Sequence, residues 1–191
     1  MPERRPEVLE FLLTRRSRPA KTLGPEAPDR AEIETLLTAA SRTPDHGKLA
    51  PWRFVVLLDA DRRARITGLA ESRMQAMGTA PDKIEKNARA FGQGGVIVAV
   101  VSSPVASDKI PLWEQEAAAA GVCLSLLNAA LASGWGANWL TGPLARDAAF
   151  LAEALGCAAG ETVAGFLHIG NETVTPADRD RPDVDAITTW L

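Results

Sequence analysis

The sequence predicts a single α+β layer domain, and three observations carry that prediction. Short β-prone apolar runs at 54–58, 95–101 and 162–169 alternate with longer segments of helical periodicity, the pattern of a sheet covered by helices. The chain has 191 residues, enough for about one domain with a sizeable core. A helix over 113–133 is apolar around nearly its whole circumference, so it has to be enclosed by the domain or by a second copy.

The elements follow in order. Val8, Leu9, Phe11, Leu12 and Leu13 cluster at helical spacing, and Pro19 turns the chain away from helix after Arg15-Arg16-Ser17-Arg18. A second helix starts at Asp29, with Glu32 three residues on completing a capping box and Ile33, Leu36, Leu37 and Ala40 forming its apolar face. It stops near Ser41. The run 54–58 reads as a strand buried on both faces, followed by charged helices at 61–77 and 82–91. A second buried strand at 95–101 lies between Gly92-Gln93-Gly94 and Ser102-Ser103-Pro104. After the apolar helix, Gly134 to Trp139 lead into a short strand and turn at Leu140-Thr141-Gly142-Pro143. A helix at 145–155 precedes the strand 162–169, and residues 171–191 form a polar tail with Pro176 and Pro182.

Composition excludes several classes of function. Hydrophobic residues make up 46% and charged residues 24%, as in an ordinary globular protein, and the net charge of −3 argues against a general nucleic-acid binder. Charges at Glu3, Arg4, Arg5, Glu7 and Glu10 leave no apolar core for a signal peptide, so a cytoplasmic protein is expected. The apolar stretch 117–132 is interrupted by Ser125 and Asn128, short of the ~20 residues a membrane span needs. Cys123 and Cys157 lack CxxC spacing and read as structural. With His46 and His168 the only histidines, no metal site is expected. The chain has no Walker A loop, GxSxG elbow or HExxH motif. Gly92-Gln93-Gly94-Gly95 precedes a strand instead of following one, which rules out a dinucleotide-binding turn.

Two polar constellations remain. Arg15-Arg16-Ser17 offers two guanidiniums and a hydroxyl, groups that hold a phosphate through charge-assisted hydrogen bonds; a solvated helix end is the alternative. Arg42-Thr43-Pro44-Asp45-His46 sits in a loop restricted by Pro44 and Pro51, between a capped helix and a strand, where ligand contacts concentrate. His168, in a strand alternating Ala164, Phe166, His168, Gly170, reads as a satisfied core or edge histidine.

The ordered set is more specific than its parts. Arg15-Arg16-Ser17, Arg42 to His46, Pro51-Trp52-Arg53-Phe54, Trp113-Glu114-Gln115-Glu116, Trp139-Leu140-Thr141-Gly142 and Gly165 to Gly170 occur in one order between Leu9 and Gly170. This order resembles the nitroreductase family of FMN-dependent oxidoreductases, nearest its short, single-domain, YdjA-like branch. The resemblance implies an α+β fold with a central, mostly antiparallel sheet flanked by helices, in an intertwined homodimer holding two FMN molecules. It implies that Arg15, Arg16 and Ser17 hold the FMN phosphate and ribityl end, and that Arg42 and His46 reach the flavin from the partner subunit. Trp139, Leu140 and Thr141 would run along the ring. Leu140 departs from the branch, where that position is often basic; a cation there would then have to come from elsewhere, with Arg42 the candidate. Residues 171–191 would embrace the partner, and Arg179 or Arg181 would add a phosphate contact. The implied activity is hydride transfer from NADH or NADPH to FMN and on to a nitroaromatic, quinone or related small acceptor. Alternatives on the same fold are a dehalogenase, an enoyl reductase, a flavin-fragmenting enzyme and a non-catalytic flavin-binding dimer.

Overall fold

A computed structural model describes residues 1–191. Helix α1 (Pro6–Thr14) opens on Pro6, whose fixed φ suits a first helical turn, yet α1 buries none of its residues. Asp29 caps α2 (Arg30–Ala40): its side chain accepts from the Glu32 N–H while the Glu32 carboxylate accepts from the Asp29 N–H, both at 2.9 Å. Strand β1 (Trp52–Leu57) leads into α3 (Ala60–Ala76) and α4 (Pro81–Arg89). Strand β2 (Val96–Ser102) precedes the 21-residue α5 (Leu112–Ala132), which is followed by β3 (Gly136–Leu140). A 3-10 turn at Pro143–Arg146 precedes α6 (Ala148–Leu155) and β4 (Thr162–Gly170).

The four strands form one antiparallel sheet in the order β1-β2-β4-β3. Strand β2 is buried along its length because its side chains divide between two cores. Ile97, Ala99 and Val101 join Phe150, Met74 and Phe166 beneath α3, α4 and α6. Val96, Val98 and Val100 meet Val122, Leu126 and Ala130 of α5 and Leu36 of α2 on the other face. A bulge between Val100 and Val101 of β2, opposite Val163 to Gly165 of β4, lets Val163 and Phe166 share one face.

Three expectations change. Strand β1 is an edge strand whose residues from Trp52 to Val56 stay half-buried, since neither core extends fully over an outermost strand. The short strand near Leu140 ends at Leu140 instead of starting there, because it needs β4 as partner and Phe166 is the last residue in register. Helix α5 is long and apolar enough to cross a membrane by composition, and its inner face packs on the sheet; Leu112, Trp113 and Leu124 on its outer face remain exposed. Its own chain does not enclose it.

Candidate functional site

The end of α1 delivers a cluster of guanidiniums. The Arg15 side chain donates to Ser17 Oγ at 2.9 Å, and Arg16 donates to the carbonyls of Ser17 and Ala177, both at 3.3 Å. Arg18 pairs with Glu172 at 2.6 Å, and its N–H donates to the Ala137 carbonyl, tying the cluster to β3. Arg181, which pairs with Asp178 at 3.0 Å, comes in from the tail. Burial, and then the charges of Arg181, Arg16 and Arg18, destabilise the Arg15 cation and lower its pKa. Its Nε is buried without a partner, and neither Arg15 nor Arg16 has a carboxylate within ion-pair distance. Crowded cations with an orphaned donor fit an anionic group.

From this cluster the chain runs through Pro19, Ala20 and Lys21 into the wall of a cavity of about 300 Å³. Alternation along β3 sends Asn138 and Leu140 into the cavity and Ala137 and Trp139 into the α5 core. Met74, Phe91, Phe166 and Leu144 supply the rest of the apolar wall, while Lys21, Lys86, Asn87 and Gln93 add polar groups. Thr141 and Gly142 also border a second cavity, of about 460 Å³, lined by Glu116, Ala120, Arg146 and Ser102, whose buried Oγ has no partner.

The expected residues therefore divide. Arg15, Arg16 and Ser17 form one anion-ready cluster, and Leu140 and Thr141 line the adjoining cavity. The Trp139 indole instead packs over Gly165 and donates to the Ala164 carbonyl at 3.2 Å, which leaves only its backbone for a cavity ligand. Arg42 and His46 lie apart from both, in a loop fastened to α5: Thr43 Oγ1 meets Ser125 Oγ at 2.8 Å, and His46 Nδ1 meets Glu114 at 2.7 Å. Neither residue lines the cavity.

Of the two places the sequence allowed for His168, core or edge, it takes the core: it is 1% exposed on the interior strand β4, with Nδ1 buried and unpartnered. Burial holds its pKa down at about 4, Arg63 pushes the same way, and the Gln93 carbonyl opposes them; the ring is neutral at pH 7. It lines the cavity with Asn138, its register partner on β3. The tail is also divided. Asn171 to Ala177 pack on their own chain, with Asn171 bonded to Glu26, Thr173 to Thr22 and Ala177 to Arg16. Val184, Ile187, Trp190 and Leu191 are exposed. Lys21, Lys86 and Asn138 carried no local signal; only the alternation of β3 could have marked Asn138.

A family model described as the nitroreductase family matches residues 12–171. The chain is 33% identical over 164 residues to "Putative NAD(P)H nitroreductase YdjA" of Escherichia coli K12, covering 86% of this chain and 87% of that one. It is 30% identical over 166 residues to "Putative NAD(P)H nitroreductase" of Haemophilus influenzae, covering 86% and 88%. Among solved structures, a nitroreductase-like family protein from Bacillus cereus superposes with a TM-score of 0.79 at 20% identity, over 96% of this chain and 95% of that one. A nitroreductase with bound FMN from Bacteroides fragilis gives 0.74 at 18% identity, over 97% and 99%. The antiparallel sheet, the arginine cluster at the end of α1 and the span of these matches lead to one assignment: the chain belongs to the nitroreductase family.

Proposed function

We propose that the chain is an FMN-dependent NAD(P)H oxidoreductase that works as a homodimer. The observation that carries this reading is the Arg15 cluster, a set of guanidiniums with an orphaned buried Nε beside a largely apolar cavity. FMN joins a dianionic phosphate to a flat aromatic ring, and the two features fit its two ends. Bound FMN would accept a hydride from NAD(P)H and deliver it to a nitroaromatic, quinone or related acceptor.

The chain's own residues position the cofactor. Arg15, Arg16 and Ser17 hold the phosphate and ribityl end, with Arg181 adding charge from the tail. Leu140, Thr141 and the backbone of Trp139 border the ring, and Arg42 and His46 come from the partner subunit. That the 42–46 loop is fastened to α5, away from the cavity of its own chain, supports its use by a second copy. Lys21 and Lys86 line the cavity beside Leu140 and join Arg42 as candidates for the cation missing at that position.

The test replaces Arg15 and Ser17 with alanine together. Each charge-assisted bond contributes about 1.5–3 kcal/mol, so the variant should purify folded and colourless while wild type carries flavin absorption. Full flavin retention by the variant would remove the phosphate role. Wild type whose flavin is never bleached by NAD(P)H under anaerobic conditions would favour a non-catalytic flavin-binding dimer.

A further inference from the structure

The loop after α2 is held more firmly than its exposure suggests. Thr43 is tied to Ser125 in the middle of α5, Gly47 packs on Ile110 just before α5, and His46 Nδ1 lies 2.7 Å from Glu114 in the first turn of α5. The Asp45 carboxylate accepts from the Ala50 N–H at 2.9 Å. Between these ties the backbone enters the left-handed region at Gly47, Lys48 and Ala50, with φ of 72°, 56° and 46°; Lys48 and Ala50 are the only non-glycine residues in the chain to do so. Such strain persists only where the surroundings over-determine the conformation, and it gathers at ligand-binding segments. The His46 side chain nevertheless remains 61% exposed, held at one nitrogen with the other free.

An ionised carboxylate can only accept, so the Glu114 contact makes His46 Nδ1 the donor. In the neutral ring Nε2 then carries the lone pair. We propose that Glu114 is a positioning residue that presets His46 as a hydrogen-bond acceptor, for a ligand group bearing an N–H or O–H. This rests on the flavin reading above, and on FMN it restricts the His46 contact to the ring imide N–H or a ribityl hydroxyl. While the imidazole is neutral, the flavin ring carbonyls and a fully ionised phosphate offer this Nε2 no donor. The pairing with Glu114 lies within one chain, so the preset ring exists before any ligand or second copy arrives.

The chain has two histidines, which makes the tautomer directly readable. Ring ¹⁵N–¹H spectra of the full ligand-free chain at pH 8, with the His46 signal assigned by its loss in His46→Asn, should show an Nδ1–H ring in wild type. Glu114→Ala should return the ring to the Nε2–H form that an unpaired histidine side chain favours, and Glu114→Gln, whose amide oxygen accepts the same bond, should keep Nδ1–H. FMN titrations should show Glu114→Ala binding about five- to tenfold more weakly, with Glu114→Gln within about twofold of wild type. With 3-methyl-FMN the Glu114→Ala penalty disappears if the imide is the donor and persists if a ribityl hydroxyl is. An Nε2–H ring in wild type, or unchanged FMN affinity in Glu114→Ala, overturns the proposal. Wild type with an Nδ1–H ring and no FMN binding would overturn the flavin reading and the ligand named here, while leaving the preset ring itself established.

Discussion

The two faces of the sheet solve burial differently. Beneath α3, α4 and α6 the chain closes a core of its own, where Phe91 packs on Phe150 and Phe166 at centroid distances of 5.6 and 5.1 Å. On the other face α2 and α5 cover the strands, but the apolar surface continues outward through Trp113 and Leu124 of α5. Helix α1 adds Leu9, Leu12 and Leu13, all exposed. Large apolar side chains left exposed along these helices are the kind of surface a partner covers. One face is finished by a single chain; the other is built to be finished by something else, and a second copy is the cover proposed above.

Damage to each face in turn should have different consequences. Phe150→Ala, at a side chain with no exposure, should lower unfolding free energy by about 3–5 kcal/mol in denaturant titrations. A loss below about 1 kcal/mol would mean that the closed face is not the rigid one. Leu124→Glu should instead leave the helical spectrum intact, since the side chain is 46% exposed, while converting dimer to monomer in sedimentation and releasing flavin. A Leu124→Glu dimer with full flavin content would show that the cover lies elsewhere.

The smallest expected effect concerns the margin of the closed face. Arg53 on the edge strand β1 grips Glu161 with two bonds of 2.7 and 2.6 Å, and this guanidinium holds the Glu161 carboxyl at about 2, against burial, which pushes the other way. A carboxyl whose folded pKa is depressed from 4.5 adds stability above that value, and the gain is lost as pH falls toward 2. Glu161→Gln should therefore cost about 1 kcal/mol at pH 7, the pair being partly screened by solvent. The gap from wild type should narrow as pH drops below 4.5; a gap constant from pH 7 to pH 3 would assign the loss to packing instead of charge.

Much of the site was legible because its signals are local. The Asp29/Glu32 box, the apolar run of β2 and the arginines after α1 each act within a few residues, and each stands where the sequence put it. The sequence left His168 between core and edge because its burial depends on what a neighbouring strand and a loop bring to it. The wall formed by Lys21, Lys86 and Asn138 was invisible for the same reason: three distant segments converge there, and none is unusual alone.

The helices, the Asp29 cap, the strand interior of β2, the arginine cluster and, through the order of its motifs, the family were readable in the residues alone. These follow from backbone sterics, side-chain periodicity and charge, which act over one or two turns of chain. Packing between distant segments makes β1 an edge, turns the Trp139 indole away from the cavity, and fastens the 42–46 loop to α5, outside the cavity lining of its own chain. Those outcomes depend on which elements become neighbours, and that is set by burying two faces of one sheet at once.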